Sequence, residues 1–205
     1  MKPLLLFDID KTLFDTENFS QYYRNKFIKL LKISPERLEK VRIKYHKSLK
    51  KHSDYIPEEF IKHLINAFRL EKQQKIYELL KNLFYESDNF SKNLFSDTDV
   101  LTELKKRYSL GIFSEGFPAF QKTKLVKSSL YDLFDLKNIF IFRRKTINEA
   151  LSELPDQCTI VDDDPAVIHE LLDQKTTILY PVWLNRKNKD KHPSAKTIHS
   201  LTELV

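Results

Sequence analysis

An open α/β fold on a parallel sheet, interrupted after its first strand by an all-helical insertion, is what this 205-residue sequence predicts. Three observations predict it. Short apolar runs are continuous rather than alternating, as in parallel strands covered on both faces. The last four of them are separated by helical patterns, which is the strand–helix–strand rhythm of such sheets. The segment from about Asn18 to Phe90 holds no convincing strand.

The strands are read at Leu4–Phe7, Leu110–Phe113, Ile139–Phe142, Thr159–Val161 and Thr177–Tyr180. Helices are marked by Val100, Leu101, Leu104 and Tyr108, then by Phe120, Leu125 and Leu130. Ile147, Ala150, Leu151 and Leu154 mark a third, and Val167, Ile168, Leu171 and Leu172 a fourth. The insertion reads as about four helices. Ser34-Pro35-Glu36 is a helix start, with a capping serine and proline at the first helical position, and Ile56-Pro57-Glu58 is another. The expected division is a core of residues 1–15 and 92–205 and a helical domain of residues 16–91.

Composition narrows the classes. The chain is 41% hydrophobic, enough to bury a core, and no apolar run approaches a membrane span. The start, MKPLLLFDID, is too briefly apolar and too soon acidic for a secretory leader. The single cysteine, Cys158, allows no internal disulfide and reads as a small buried residue. A cytoplasmic monomer or weak dimer is the expectation. With only Gly111 and Gly116, there is no glycine-rich phosphate loop.

In open parallel sheets ligands bind beyond the carboxyl ends of the strands. Polar residues just past each apolar run are therefore the informative ones. They are Asp8 and Asp10, then Ser114, then Arg143, Arg144 and Lys145, then Asp162, Asp163 and Asp164. Clustered carboxylates repel unless a cation neutralises them, and hard oxygen ligands favour Mg²⁺. A lysine and a hydroxyl beside the metal would cradle a phosphoryl group. One aspartate could then act as a covalent nucleophile, and a second as acid and base. Each residue also has a plainer reading. Asp8 and Asp10 could form a strand-end turn, Ser114 a turn, and Arg143 to Lys145 a solvated cluster. Asp164 suits the cap of the next helix.

Together the motifs resemble the haloacid dehalogenase-like superfamily, in its phosphatase form with a helical C1-type cap. FDIDKT resembles that family's first motif, DxDxT. Ser114 resembles its second, Lys145 at a helix start its third, and IVDDDP its acidic fourth. The resemblance spans the chain and implies a Rossmann-like core. It implies Asp8 as nucleophile and metal ligand, and Asp10 as acid/base with its backbone carbonyl on the metal. It also implies Thr12, Ser114 and Lys145 at the phosphoryl group, Asp163 on Mg²⁺, and Asp162 as a ligand or its neighbour. Dehalogenases of the superfamily lack an acid/base at the position of Asp10, so its presence points to phosphoryl transfer. Relatives often have asparagine where Glu115 stands, proline at Thr146 and an acid at Val167.

Charge is uneven. Residues 16–91 hold 16 Lys/Arg against 10 Asp/Glu, and the remainder holds 19 of each. Arg37, Lys40, Lys44, Lys47 and Lys51 form a basic stripe, with Leu38, Val41, Tyr45 and Leu49 as the apolar one. The stripe reads first as a solvated face, and second as a recruiter of an anionic substrate. Phe19, Tyr22 and Tyr23 read as core of the insertion, with a substrate-stacking role as the alternative. His46, His52 and His63 read as packed or solvated. The expected activity is Mg²⁺-dependent hydrolysis of a small phosphomonoester through an aspartyl-phosphate. Nucleic acid is possible as a substrate but not favoured. A phosphomutase, a nucleic-acid end phosphatase and a non-catalytic binder of an anionic partner are the alternatives.

Overall fold

The computed structural model describes residues 2–174 and 177–205. Six parallel strands form one sheet in the order β3-β2-β1-β4-β5-β6. They are β1 (Leu4–Phe7), β2 (Ser109–Glu115), β3 (Ile139–Phe142), β4 (Cys158–Asp162), β5 (Leu179–Leu184) and β6 (Lys196–Ile198). This is the doubly wound order whose ligand crevice opens where the winding reverses, between β1 and β4.

Alternation of side chains sorts the apolar residues onto two faces. Leu5, Phe7, Leu110, Ile112 and Val161 pack on one side with α6 (Leu101–Arg107) and α7 (Pro118–Lys127). Leu6, Phe113, Cys158 and Ile160 pack on the other with Leu151 of α8 (Asn148–Ser152) and Leu171 of α9 (Pro165–Leu172). Gly111 lies where β1 and the Leu136–Asn138 turn press on β2. A Cβ there would sit 2.4 Å from the Asn138 carbonyl and 2.5 Å from Leu6 Cδ2.

Five helices, not four, fill the insertion. They are α1 (Thr16–Leu31), α2 (Pro35–Ser48), α3 (Pro57–Phe68), α4 (Gln73–Phe84) and α5 (Ser87–Ser91). The expected starts hold, since the Ser34 hydroxyl accepts from the Arg37 N–H and α3 begins at Pro57. Phe19, Tyr23 and Phe27 of α1 meet Phe60, Leu80 and Phe84 in a core continuous with the α6/α7 face of the sheet. Phe19 and Tyr23 are thus core, as expected, whereas Tyr22 is only half-buried, with Lys26 Nζ over its ring. The chain enters and leaves the insertion side by side, tied by Asp15 N–H to Asn93 C=O at 2.7 Å and Phe95 N–H to Leu13 C=O at 3.1 Å.

Three readings are corrected. The fifth strand begins two residues after Thr177 and ends four after Tyr180, because Pro181 can sit within it. β6 pairs only from Val182 onward, so on that side Pro181 has no ladder partner to disappoint. The basic stripe stops at Lys47, since α2 ends at Ser48 and Lys51 lies beyond. Lys145 does not open a helix: it stands in the loop before α8. Among the described residues, no helix is long and apolar enough to cross a membrane.

Candidate active site

The turn after β1 is set by backbone bonds. Asp8 N–H donates to the Val161 carbonyl, binding the turn to β4, and the Ile9 carbonyl accepts from both Leu13 and Phe14. Lys11 takes a left-handed φ of 62°, closing a bend too tight for continued strand. The outcome is two carboxylates facing different partners, Asp8 buried and Asp10 partly exposed. Thr12 is fully buried, and its hydroxyl finds no partner among the described residues.

Asp8 faces β3 and β4. Lys145 Nζ lies 2.8 Å from Asp8 Oδ1 and 2.5 Å from Asp162 Oδ2, and all three side chains are buried. The Lys145 backbone N–H is held by Glu115 Oε2 at 3.0 Å, so Glu115 aims the loop that carries the lysine. Asp162 Oδ1 accepts the Asp164 N–H, and Asp164 caps α9 by accepting from Ala166 N–H. Two carboxylates share one ammonium, and burial shows the deficit. Desolvation, with Asp162 and Asp10 adding to it, pushes Asp8 up to about 8 against the pull of Lys145. Desolvation and Asp162 likewise push Asp163 up to about 7. Lys145 itself is held well above the ordinary lysine range: both carboxylates outweigh its burial.

Asp10 faces α7. Its Oδ1 accepts from Lys124 Nζ at 2.5 Å and from the Thr16 hydroxyl, and its Oδ2 accepts from Gln121 Nε2 at 2.7 Å. Burial would raise its carboxyl, but the Lys124 charge and these hydrogen bonds hold it below the usual range. Gln121 also reaches the Glu115 carbonyl at 2.6 Å and Ser114 Oγ at 3.3 Å, linking β2 to Asp10. Sequence reasoning missed Gln121 and Lys124. Their signal was position: they share the faces of α7 that carry Leu125 and Phe120, where a polar residue needs a buried partner.

The structure thus gathers Asp8, Asp162 and Lys145 directly, and joins Asp10 to Ser114 through Gln121. Val167, where the resemblance would place an acid, is buried core. The Asp10 carboxylate turns toward α7, away from Asp8 and Asp162. Among the described residues, no three Asp, Glu, His or Cys side chains converge as a ready cage. The donor chemistry nevertheless suits Mg²⁺: the cluster is all oxygen, and its raised carboxyls mark a shortage of positive charge. The Asp163 carboxylate carries no hydrogen bond among the described residues, and it lies at the rim rather than sealed inside.

The insertion touches the rim of the crevice through the turn His52–Asp54. Arg144 donates to Asp54 at 2.8 Å and to Ser53 Oγ at 2.7 Å, and Arg143 donates to Asp54 at 3.1 Å. These two arginines immediately precede Lys145, so the turn His52–Asp54 is fastened to the loop that carries it. A cavity of about 440 Å³ lies elsewhere, against Leu5, Thr159 and Pro181 at the amino ends of their strands. The carboxyl ends hold the clustered charge, so the chemistry is placed there.

No family model and no curated protein matches the chain. Solved structures do. A haloacid dehalogenase-like hydrolase from Burkholderia xenovorans LB400 superposes with a TM-score of 0.72 at 16% identity, covering 99% of this chain and 94% of its own. The HAD-hydrolase YfnB from Bacillus subtilis, solved bound to magnesium, gives 0.67 at 16% identity, covering 99% and 96%. A 2-haloacid dehalogenase from Pseudomonas syringae pv. tomato DC3000 gives 0.62 at 16% identity, covering 100% and 96%. Strand order, the helical insertion after β1 and full-length superposition agree: the chain has the fold of the haloacid dehalogenase-like hydrolases.

Proposed function

We propose that the protein is a Mg²⁺-dependent phosphatase that hydrolyses a small phosphomonoester through an aspartyl-phosphate on Asp8. The fold alone does not choose between phosphatase and dehalogenase. The observation that carries the choice is Asp10: a second carboxylate, two residues after Asp8, held by three donors at the same crevice. Carbon–halogen displacement has no use for such an acid, whereas an alkoxide leaving group needs a proton.

Asp10 rests as a carboxylate paired with Lys124 and first takes up the proton of the bound monoester monoanion. In the first step an Asp8 oxygen then bonds to phosphorus, the ester P–O bond breaks, and the leaving oxygen takes that proton from Asp10. In the second, Asp10 accepts a proton from water as that water attacks phosphorus, and free Asp8 returns. Lys145 balances charge on Asp8 and the phosphoryl oxygens, while Ser114 and the unpartnered Thr12 hydroxyl supply donors. Mg²⁺, held by Asp8, Asp163, Asp162 and the Asp10 carbonyl, would supply the charge that keeps Asp8 ionised. The insertion opens by releasing Asp54 and closes again to exclude water. The exposed basic residues of α2 take no part in this reading.

The test is phosphate release from nucleotides, sugar phosphates, phosphoglycolate, flavin mononucleotide and a 3′-phosphorylated oligonucleotide. Each is run with Mg²⁺ and with EDTA, for wild type and Asp8→Asn. Release that needs both Mg²⁺ and Asp8 is expected. Chloride release from a 2-haloacid, with no phosphate from any ester, would overturn the reading.

A further inference from the structure

An ammonium taken out of water requires a paired anion, so a deeply buried lysine always raises the question of what it serves. Lys124 is 3% exposed on α7. Its Nζ sits 2.5 Å from Asp10 Oδ1, 4.7 Å from the centre of the Phe120 ring and 5.5 Å from that of Phe14. The rings wall in the ammonium and leave its charge directed at one carboxylate oxygen. Three residues earlier on the same helix, Gln121 is 2% exposed and holds the other oxygen at 2.7 Å.

The helix is itself fixed for this purpose. Gly116, before α7, has a φ of 139°, and a Cβ there would lie 2.9 Å from Gln121 Nε2. A side chain there would strain the backbone and push the amide from its place beside Asp10, Glu115 and Ser114. Phe117 C=O accepts from the N–H groups of Phe120 and Gln121, anchoring the first turn. Both Asp10 oxygens are therefore aimed by α7, with the Thr16 hydroxyl of α1 as the one donor from the insertion.

We propose that Lys124 is a positioning residue: its ammonium, with the Gln121 amide, sets the direction of the Asp10 carboxyl and so its reach to the leaving oxygen. The inference rests on the phosphatase reading. In the step concerned, Asp10 has taken up the proton of the bound monoester monoanion; the P–O electron pair passes to the leaving oxygen, that proton joins it from Asp10, and the phosphoryl group bonds to Asp8. A leaving group that is stable as an anion needs little of this help, and an alkoxide needs all of it.

Lys124→Met keeps the apolar stem and removes the charge. The expected result is a loss of about 100-fold in kcat/KM on glycerol 3-phosphate with less than about 3-fold on p-nitrophenyl phosphate, matching the pattern of Asp10→Asn. Lys124→Arg should restore part of the alkyl-ester activity. A merely structural lysine would lower both esters alike, and that result overturns the proposal. A crystal structure of Lys124→Met, expected to show the Asp10 carboxylate turned from its wild-type direction, decides independently of turnover; an unmoved carboxylate overturns it. If wild type hydrolyses no ester, the phosphatase reading falls, and the crystal comparison still judges Lys124. If Lys124→Met does not fold, Gln121→Leu leaves no buried charge unpaired and is read by the same two measurements.

Discussion

Asp97→Ala should unfold the protein about 6–12 °C earlier than wild type, and the structure sets the size. Asp97 receives both Nη atoms of Arg186 at 2.8 Å, the Ser200 hydroxyl at 2.9 Å and the Leu201 N–H at 2.9 Å. Arg186 also donates to the Thr12 carbonyl at 2.8 Å and lies 4.1 Å from the centre of the Phe95 ring. One carboxylate thus ties the C-terminal segment to the exit of the insertion and, through Arg186, to the turn that bears Asp8 and Asp10. Removing one partner of a buried pair costs about 3–5 kcal/mol, because the other charge is stranded. The side chains here are 11% and 18% exposed, and Arg186 keeps Thr12 and Phe95, so the low end, about 3 kcal/mol, is expected. For a chain of this size each kcal/mol moves the midpoint by about 2–4 °C. Burial would raise the Asp97 carboxyl, but Arg186, Leu201 and Ser200 hold it below the usual range. A depressed carboxyl stabilises the fold above its unfolded pKa and loses that contribution as pH falls through the folded one. The gap between wild type and variant should therefore be full at neutral pH and close below about pH 4. Thermal unfolding across pH measures it, with Arg186→Met and the double variant completing a cycle. A midpoint shift under about 2 °C, or single effects that simply add, would refute the reasoning.

The remaining predictions concern the crevice. Lys145→Met leaves Asp8 and Asp162 facing each other without their shared cation, and kcat should fall by about 10²–10³, read by steady-state phosphate release; an unchanged kcat contradicts its role. Asp54→Ala frees Arg143 and Arg144 across a partly exposed contact, so the unfolding midpoint should hardly move. Proteolytic nicking around residues 49–56 should meanwhile speed up, and an unchanged rate would show that the pair does not fasten the insertion. Gly116→Ala combines a strained φ with a contact on Gln121 and should cost about 1–3 kcal/mol, while lowering turnover of alkyl esters more than of p-nitrophenyl phosphate.

Much of this architecture is written in apolar runs. Leu4–Phe7 and Ile139–Phe142 are strands at the bounds their side chains suggest, because each run is covered on both faces or stops at charge. β6 was illegible: Lys196–Ile198 has three residues, one of them buried, inside a polar tail. β5 runs on through Pro181 past the apolar run that marks it in the sequence, and the shortness of β6 leaves that proline without a ladder partner on one side. Asp8, Asp162 and Lys145 were legible because charge directly after an apolar strand has few structural uses. Lys124 and Gln121 were not, since such residues on a helix are usually solvated. Only the tertiary position of α7 turns them inward.

The account stands most directly on a covalent bond to Asp8. Wild type, mixed with its best phosphomonoester and Mg²⁺, is quenched in acid during turnover, and the peptide containing Leu4–Thr16 is weighed and sequenced by mass spectrometry. The account predicts a peptide heavier by one phosphoryl group, carried on Asp8 and absent from Asp8→Asn. Sustained phosphate release with Asp8 unmodified at every quench time would contradict it.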